Sequence, residues 1–406
     1  MNWQIRQTAR AQTDGRGFAI IPSFFPSNSS SGEIHMGVYE DLGVRPVINA
    51  IGTNTRYGGS LMASEVLDIM REASQEFCLL DELHVKAGAK IAAMLDVEAA
   101  YVTASAACGL VITTAACMTG TDPDKIRQLP DTTGLKYEVI IQKRHRIAYD
   151  QAIRLTGARL IEIEDSARPP IEAIRAAINE RTVAMFYLGK EINHPHSVPL
   201  HQVIEMAHAA SVPVIVDAAS ECPPLSTLTR FSKAGVDLVI FSGGKSLSGP
   251  QSTGLLLGRK DLINACAANG TPFATVGRPM KISREEIIAF IKALELYLAR
   301  DHDADITGWK AKISYIQDRL ADVPHIEMEQ KVDSETYIVS KLIIHIKPDA
   351  GITGDLAIKA LLDGEPRIVV GQDDAENGFT INPHNLQPGQ EQIVADRCKA
   401  VLTVPG

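Results

Sequence analysis

Residues 212–220 read VPVIVDAAS, and this stretch of the sequence decides the class of the fold. An apolar run containing four β-branched residues ends at Asp217 and is followed at once by small residues. An uninterrupted apolar run of this kind is typical of a strand that is buried on both faces of a parallel sheet. Ligands of such sheets bind at the carboxyl ends of the strands. The stretch therefore predicts an α/β fold with Asp217 at the ligand-binding edge.

More apolar runs share this character, and helical-period stretches separate them; the runs lie at 99–103, 139–142, 159–163, 183–188, 238–241 and 254–257. Such alternation predicts βαβ units around a mostly parallel, seven-stranded sheet with helices on both faces. The sequence then predicts a long helix at 285–300, strands at 338–346 and 367–370, and helices at 354–362 and 388–402. We therefore expect a large domain followed by a smaller α+β domain.

The composition excludes several classes of protein. With 45% hydrophobic and 22% charged residues in a chain of 406, and no long uninterrupted apolar segment, we expect a globular protein without a membrane partner. A net charge of −9 disfavours a nucleic-acid partner. The cysteines and histidines show no metal-ligand spacing and no paired spacing, so we expect reduced thiols, no metal site and a cytoplasmic protein. Residues 1–36, rich in Gly, Pro and Ser, are predicted to be a disordered tail.

The sharpest chemical feature is the segment FSGGKSLSGP at 241–250, which carries Lys245 directly after an apolar run. It superficially resembles a phosphate-binding P-loop, but that motif needs a glycine where Val239 stands, so a nucleotide triphosphatase is disfavoured. A lysine at the end of a buried strand suits a Schiff-base role, because partial burial keeps the amine neutral and nucleophilic. The alternative is a lysine that is simply exposed on a glycine loop.

Asp217 and Ser105 supply two further groups that a phosphorylated pyridine cofactor needs. Asp217 can keep a pyridine nitrogen protonated, although a strand-end aspartate is more often a helix cap or a metal ligand. Ser105 and Ala106 lie where a strand leads into a helix of small residues, whose free backbone amides bind an anion. The alternative for Ser105 is an ordinary N-cap.

Ser242 and His145 complete the set. Ser242 can reach the same anion from three positions before Lys245. His145 follows the apolar run at 139–142 and precedes a helix, so it is placed to stack on a cofactor ring. A lone histidine is a weak signal, and His145 is a candidate only because the other predicted cofactor contacts accompany it.

In this order and spacing, a helix-start phosphate site, a stacking residue, a strand-end aspartate and Ser-x-x-Lys resemble the fold-type I pyridoxal 5'-phosphate (PLP) enzymes of the aminotransferase class V kind. Segments 47–60 (VINAIGTNTRYGGS), 241–254 and 277–281 (GRPMK) more narrowly resemble the group related to bacterial selenocysteine synthase (L-seryl-tRNA selenium transferase). Within that group they are similar to the D-glucosaminate-6-phosphate ammonia-lyase branch. The resemblance runs from about residue 38 to residue 385.

The resemblance implies a large PLP-binding domain at 71–283 and a small domain at 284–406, which the segment 37–70 joins. It also implies a homodimer or higher homo-oligomer in which a second subunit completes the active site. The residues expected to contact the cofactor are Lys245, Asp217, Ser105, Ala106, His145, Ala219 and Ser242. Those expected to contact the substrate, or a phosphate group at the neighbouring subunit, are Thr53, Asn54, Arg56 and Arg278.

The chain departs from the family pattern near Pro366. Relatives usually carry an arginine several residues after this proline, whereas this chain has Gly371. Arg367 is the candidate replacement as the anchor of a substrate carboxylate.

The resemblance implies a PLP-dependent lyase that removes ammonia from a β-hydroxy amino acid by α,β-elimination and gives a 2-oxo acid. The substrate is of the D-glucosaminate or D-glucosaminate 6-phosphate type, and Lys245 and Asp217 are the catalytic residues. The same residues also suit an aminotransferase, racemase, aldolase or C–S lyase acting on a small amino acid, and a non-catalytic PLP carrier. Selenium transfer onto seryl-tRNA is a further alternative, but it needs a tRNA-binding domain before the core.

Overall fold

The computed structural model describes residues 37–166, 168–332, 334–372 and 377–403. The disordered tail expected at 1–36 lies outside these residues. Backbone contacts divide the chain into the units Met1–Pro46 and Val47–Gly406. In the first unit, the described part contains a short 3-10 turn at Glu40–Leu42 that ends at Gly43. The second unit holds the sheets and helices.

The described part of this unit contains two sheets and the helices around them. The strands are β1 Val47–Ala50, β2 Ala99–Thr103, β3 Glu138–Gln142, β4 Arg159–Ile163, β5 Thr182–Leu188, β6 Val214–Asp217, β7 Leu238–Ser242, β8 Gly254–Gly258, β9 Ile326–Lys331, β10 Lys341–Ile346, β11 Arg367–Gln372 and β12 Gly378–Ile381. The α-helices are α1 Ser64–Ala73, α2 Leu80–Leu95, α3 Ala106–Thr119, α4 Pro123–Gln128, α5 Gln151–Arg154, α6 Ile171–Ala177, α7 Leu200–Ala209, α8 Thr227–Lys233, α9 Lys260–Asn269, α10 Arg284–Ala299, α11 His302–Leu320, α12 Gly354–Asp363 and α13 Gln390–Leu402.

The larger sheet has seven strands in the order β2-β8-β7-β6-β5-β3-β4. Strand β8 runs antiparallel to both of its neighbours, and the other pairs are parallel. Each of the seven strands predicted from apolar runs is present, so the predicted α/β class and mostly parallel sheet are confirmed.

Strand β6 shows why an uninterrupted apolar run folds this way. Val214 and Val216 belong to one hydrophobic core, while Ile215 belongs to the core on the opposite face of the sheet. All three are at most 1% exposed. Burying an aliphatic side chain of this size stabilises a fold by about 1.5–3 kcal/mol. Only a sheet covered by helices on both faces buries all three.

The smaller sheet has the order β1-β11-β12-β10-β9, with β1 parallel to β11. Helices α11, α12 and α13 contribute to its core. The sequence analysis missed β1, β9 and β12, and β1 reads VINA over only four residues. Strand β9 reads IEMEQK and is a mostly exposed edge strand, so it lacks an apolar run; β12 has only four residues. Both are held by pairing with neighbours rather than by their own pattern.

The domain limits predicted at residues 70 and 284 stay predictions. Strand β1, from the segment 37–70, pairs with β11 of the smaller sheet. Helix α10 begins at residue 284, but its Ile287, Phe290 and Leu294 pack in a core of the larger sheet. Within the described residues, no helix combines the length and apolar character that crossing a membrane requires.

Candidate active site

Lys245 lies in the turn that follows β7, at the carboxyl edge of the larger sheet. The turn is anchored from the amino-terminal segment: the Ser60 amide donates to the Gly244 carbonyl at 3.1 Å. The Ser60 hydroxyl donates to the Lys245 carbonyl at 2.7 Å. Gly59 has φ +73°, and a Cβ there would lie 2.2 Å from the Gly244 oxygen. The Gly-Gly-Ser phrase at 58–60 therefore holds the backbone of the lysine turn.

Asp217 is the last residue of β6 and is 5% exposed. It pairs with Ile240 of β7 and Leu188 of β5, so it stands at the centre of the sheet edge. Its Oδ1 accepts a hydrogen bond of 3.0 Å from the Ala219 amide. This contact orders the loop after the strand and does not cap an α-helix.

Asp217 and Lys245 perturb each other electrostatically. Burial raises the pKa of Asp217, and the positive charge of Lys245 partly opposes that shift. Burial lowers the pKa of Lys245, and the negative charges of Asp217 and Glu221 partly oppose it. A lysine whose pKa is lowered is more often the neutral amine, which is the nucleophilic and basic form.

Glu221, which the sequence analysis missed, is a second buried carboxyl group at this edge. It is 4% exposed and follows Asp217 by four positions in the loop after β6. Burial raises its pKa, hydrogen bonds from Thr336 and Ser220 lower it, and the charge of Asp217 raises it further. The available signal was an acidic residue between a small-residue run and the prolines Pro223 and Pro224.

The start of α3 forms the neighbouring part of the edge. Ser105 is the N-cap, and its hydroxyl accepts a hydrogen bond of 3.0 Å from the Cys108 amide. The amides of Ala106 and Ala107 have no partner within the helix, because the first turn lacks preceding carbonyls. Across the sheet, Thr103 of β2 pairs with Gly254 of β8. Ser242 of β7 pairs with the same glycine. The structure thus brings Ser105, which follows β2, and Ser242, which ends β7, to the two sides of the start of β8.

His145 is fully buried in a short 3-10 turn after β3. Its Nδ1 accepts a hydrogen bond of 3.2 Å from the Leu188 amide, and its Nε2 lies 3.1 Å from the Ser197 hydroxyl. Burial lowers the pKa of His145 to about 3, and the charge of Arg144 adds to this. The ring is therefore neutral, and it makes a T-shaped contact with the Tyr187 ring at a centroid distance of 4.4 Å. Since Leu188 pairs with Asp217, His145 adjoins the same edge.

A cavity of about 710 Å³ opens beside Lys245. Loop residues beyond the strands of the larger sheet and Lys341 of β10 line it, together with Thr53 and Asn54 from the segment 37–70. Lining residues that the sequence analysis missed are Tyr149, Lys190, Glu191, His194, Ser220, Glu221, Ser334, Tyr337, Lys341 and Asn382.

The three predicted arginines do not line this cavity. Arg56 and Arg278 are exposed, and Arg367 is half-buried at the start of β11, where its Nε donates to the Leu362 carbonyl at 3.0 Å. Their contact with substrate stays a prediction.

Known proteins resemble this chain over more than half of its length. The family model for aminotransferase class-V matches residues 139–350. The chain is 29% identical over 377 residues to a 5'-C-glycyluridine monooxygenase-decarboxylase of a Streptomyces species, covering 91% of this chain and 92% of that one. It is 28% identical over 371 residues to a D-glucosaminate-6-phosphate ammonia lyase of Salmonella typhimurium, covering 90% and 97%.

More distant relatives and solved structures agree with this likeness. An L-seryl-tRNA(Sec) selenium transferase of Nitratidesulfovibrio vulgaris is 26% identical, with 69% of this chain and 60% of the relative covered. A solved structure of D-glucosaminate-6-phosphate ammonia-lyase matches with a TM-score of 0.77 at 26% identity, covering 91% of this chain and 99% of that one. A solved structure of SPT with PLP shares the fold, with a TM-score of 0.58 at 12% identity and 87% of each chain covered.

Proposed function

The chain belongs to the aminotransferase class-V family and is a PLP-dependent enzyme, and from that premise we propose that it removes ammonia from a β-hydroxy amino acid by α,β-elimination. The proposed substrate is of the D-glucosaminate or D-glucosaminate 6-phosphate type. The observation that carries this proposal is that Lys245 lines a cavity at the sheet edge where the buried carboxyl group of Asp217 also lies, at the end of the neighbouring strand. The likeness to an ammonia lyase over 90% of the chain supports the choice of elimination.

The residues present fit the cofactor. The Thr103 hydroxyl is buried near the start of α3 and has no hydrogen-bond partner among the described residues. A Cβ at position 254 would lie 2.5 Å from the Ser105 carbonyl carbon, so the absence of a side chain there lets the helix start approach the sheet. Free amides and hydroxyls at a helix start suit a phosphate. A buried carboxyl group opposite a lysine suits a protonated pyridine nitrogen.

The proposal assigns each end of the cofactor to a different part of the sheet edge. The groups that would hold it are Lys245 at the aldehyde carbon, Asp217 and Ala219 near the ring nitrogen, His145 on the ring face, and Ser105, Ala106 and Ser242 at the phosphate. When bound, PLP supplies an electron sink for the negative charge that develops on the substrate α carbon.

In the proposed reaction, side chains of the protein transfer the proton and bind the substrate. The Lys245 amine takes the proton from the substrate α carbon, and its lowered pKa favours the basic form that this step needs. Thr53 and Asn54, which line the cavity, bind the hydroxyl groups of the sugar acid. Arg56, Arg278 and Arg367 remain the proposed contacts for its carboxylate or phosphate, because a guanidinium binds such groups in a bidentate manner.

A panel of D- and L-β-hydroxy amino acids and sugar amino acids tests the proposal. Released ammonia together with a 2-oxo acid is the expected result. Conversion of the cofactor to its amine form without ammonia contradicts elimination and indicates an aminotransferase. Racemisation or aldol cleavage of a panel member points to the corresponding alternative, and release of sulfide from added cysteine points to a C–S lyase.

A second candidate function follows from the first-mentioned relative. The Streptomyces monooxygenase-decarboxylase is about as similar to this chain as the ammonia lyase and covers as much of it. Oxygen uptake with release of carbon dioxide from an amino acid that lacks a β-hydroxyl group would favour this reaction. Ammonia release that is equally fast without oxygen would exclude it. Selenium transfer has less support, because the chain spans only 60% of that relative.

We also propose that the enzyme is a homodimer or higher homo-oligomer acting in the cytoplasm. Large apolar side chains of α2 and nearby loops, Phe77, Leu79, Val85 and Phe273, are between 48% and 96% exposed in the single chain. All six cysteines are free. Light scattering of the purified protein measures the assembly, and a monomeric mass would contradict the shared active site.

A further inference from the structure

Glu221 is a buried acidic group that the mechanism above does not use. It lines the cavity together with Lys245 and Ser220. The Thr336 hydroxyl donates a hydrogen bond to Glu221 Oε2, and the Ser220 hydroxyl lies 3.4 Å from Oε1. These partners are neutral hydroxyls, so neither supplies the positive charge that a buried carboxylate requires.

The charged groups that face Glu221 come from the neighbouring strand ends. Asp217 belongs to β6, and Lys245 belongs to the turn after β7. The negative Asp217 favours a proton on Glu221, and the positive Lys245 disfavours it. Burial is the largest influence, and the pKa of Glu221 is raised. A carboxyl group in this environment holds a proton at a pH where an exposed glutamate has lost it.

The position of Glu221 is set from both domains. The Ile338 amide donates to the Pro223 carbonyl at 3.0 Å, which joins the loop after β6 to the segment before β10. Thr336 of that segment is fully buried. Gly189 makes room on the other side, since a Cβ there would lie 3.0 Å from Glu221 Cγ. The carboxyl group is therefore held against the cavity and cannot swing into solvent without moving the loop.

We propose that Glu221 is the general acid that protonates the hydroxyl group leaving the substrate β carbon. This inference rests on the proposed lyase function. When the Cβ–O bond breaks, its electron pair goes to the oxygen, the Glu221 proton joins that oxygen, and water leaves. Glu221 becomes a carboxylate and regains a proton from Lys245, which has taken one from the α carbon. The protein ends the cycle unchanged, and the substrate has lost one molecule of water.

The need for such an acid follows from the leaving group. Hydroxide is a poor leaving group, and a positioned general acid accelerates such a step by about 10²–10⁴-fold. Lys245 removes the α proton and would have to turn to the β oxygen to supply that acid alone. Two separate groups, one for each proton, remove this conflict.

The decisive experiment varies the leaving group in the PLP-loaded enzyme. Glu221→Gln keeps the size of the side chain and removes its acidic proton. On a β-hydroxy amino acid, the variant should lose turnover by about 10²–10⁴-fold. On the β-chloro analogue, chloride leaves without a proton, and the variant should stay within a few-fold of wild type. An equal loss on both substrates overturns the proposal, and so does no loss on either.

Two matched variants separate acid catalysis from a structural role. Glu335→Gln makes the same change on a half-exposed side chain that pairs with Arg230 at the surface, and it should behave as wild type on both substrates. Thr336→Val removes the hydroxyl that contacts Glu221 but keeps the carboxyl group. If Thr336→Val reproduces the full selective loss on hydroxy substrates, the hydrogen bond rather than the acid is responsible.

Infrared difference spectroscopy gives a readout that does not depend on turnover. In protein labelled with ¹³C-glutamate at neutral pH, wild type should show the carbonyl band of a protonated carboxyl group, and Glu221→Gln should lack it. Absence of the band from wild type overturns the proposal. A wild-type enzyme that acts on the chloro analogue but on no hydroxy acid instead overturns the proposed substrate class. Losses unrelated to the leaving group, in an enzyme that does use hydroxy acids, overturn only the role of Glu221.

Discussion

The two edges of the larger sheet treat buried carboxyl groups in opposite ways. At the amino edge, Asp237 precedes β7 and is 2% exposed. It accepts hydrogen bonds from Arg259 Nη1 at 3.0 Å and the Val214 amide at 2.8 Å, and lies 2.9 Å from His208 Nε2. At the carboxyl edge, Asp217 is also buried, but the hydrogen bond described for its carboxylate comes from a single group, the Ala219 amide.

Glu138 and Glu221 repeat this contrast. Glu138 begins β3, and Asn179 and Arg181 each donate to it at 2.8 Å. Burial alone would raise its pKa, but these hydrogen bonds and the charge of Arg181 lower it. The pKa of Glu221 is raised instead. Charged partners offset the burial of the carboxyl groups at the amino edge, whereas the described hydrogen bonds at the carboxyl edge come from neutral groups, an arrangement that is typical of functional sites.

The largest expected effect follows removal of the lysine that faces the carboxyl edge. Lys245→Ala should lower turnover by at least about 10⁴-fold, the upper end of what a positioned base contributes. It should leave the thermal midpoint within a few degrees of wild type. Borohydride reduction should attach the cofactor covalently to wild type and not to the variant. Normal labelling of the variant would place the covalent attachment elsewhere and break the comparison.

The matched pair Asp217→Ala and Asp237→Ala tests the two edges directly. Asp217→Ala should reduce turnover by about 10²–10³-fold, as expected when one electrostatic contact to the reacting charge is lost. Its free energy of unfolding should not fall. Asp237→Ala leaves the buried Val214 amide without its acceptor and should cost about 1–3 kcal/mol. Its turnover per folded molecule should be unchanged. Urea unfolding and steady-state kinetics on both variants reveal a swapped pattern if the comparison is wrong.

The glycines that set the lysine turn offer a finer test. Gly58 and Gly59 both have positive φ, at +91° and +73°. A Cβ at position 58 meets nothing within 4 Å, whereas one at position 59 meets the Gly244 oxygen at 2.2 Å. Gly58→Ala should cost about 1–2 kcal/mol, the strain of the left-handed conformation alone. Gly59→Ala should cost more and also lower turnover. Equal effects on both measurements would mean that the turn does not depend on this contact.

The smallest expected effect is on the pH dependence of stability in cofactor-free protein. The pKa values of Asp217 and Glu221 are higher in the folded state than in the unfolded state. At these two carboxyl groups the folded state therefore binds more protons than the unfolded state once the pH rises above about 4. Their contribution to stability is therefore present at lower pH and lost as the pH rises through the folded pKa values.

The double variant Asp217→Asn with Glu221→Gln should remove this loss. Glu138→Gln should instead remove a loss of stability that occurs as the pH falls. The lowered folded pKa of Glu138 gives stability above its unfolded pKa, and that stability disappears on acidification. Urea midpoints measured across the pH range compare the slopes. Parallel slopes in wild type and the double variant would contradict the raised pKa values.

Much of the fold was readable from the sequence because the large sheet is buried on both faces. Each of its strands had to be an apolar run, and runs such as 99–103 and 159–163 coincide with the observed strands. Strands β1, β9 and β12 were missed, since neither an exposed edge strand nor a strand of four residues needs such a pattern.

The site was partly readable for a different reason. Asp217 ends a strand and Lys245 follows one. Because the two strands are parallel, the sheet topology brings both residues to the same edge, and the conformation of the loops is not needed to predict this. Glu221 lies in a loop, and it contacts Thr336, which is 115 positions away. Nothing local in the sequence indicates that contact.

The amino-acid sequence by itself determined the α/β class and the positions of the apolar runs that form the larger sheet. It also determined that Asp217 and Lys245 lie at strand ends, since each of these features follows from local pattern and spacing. Only the tertiary structure decided which buried carboxyl groups are satisfied. That outcome depends on partners such as Arg259 for Asp237 and Thr336 for Glu221, which come from separate parts of the chain. Burial makes a charge costly, and long-range contacts alone determine whether that cost is offset.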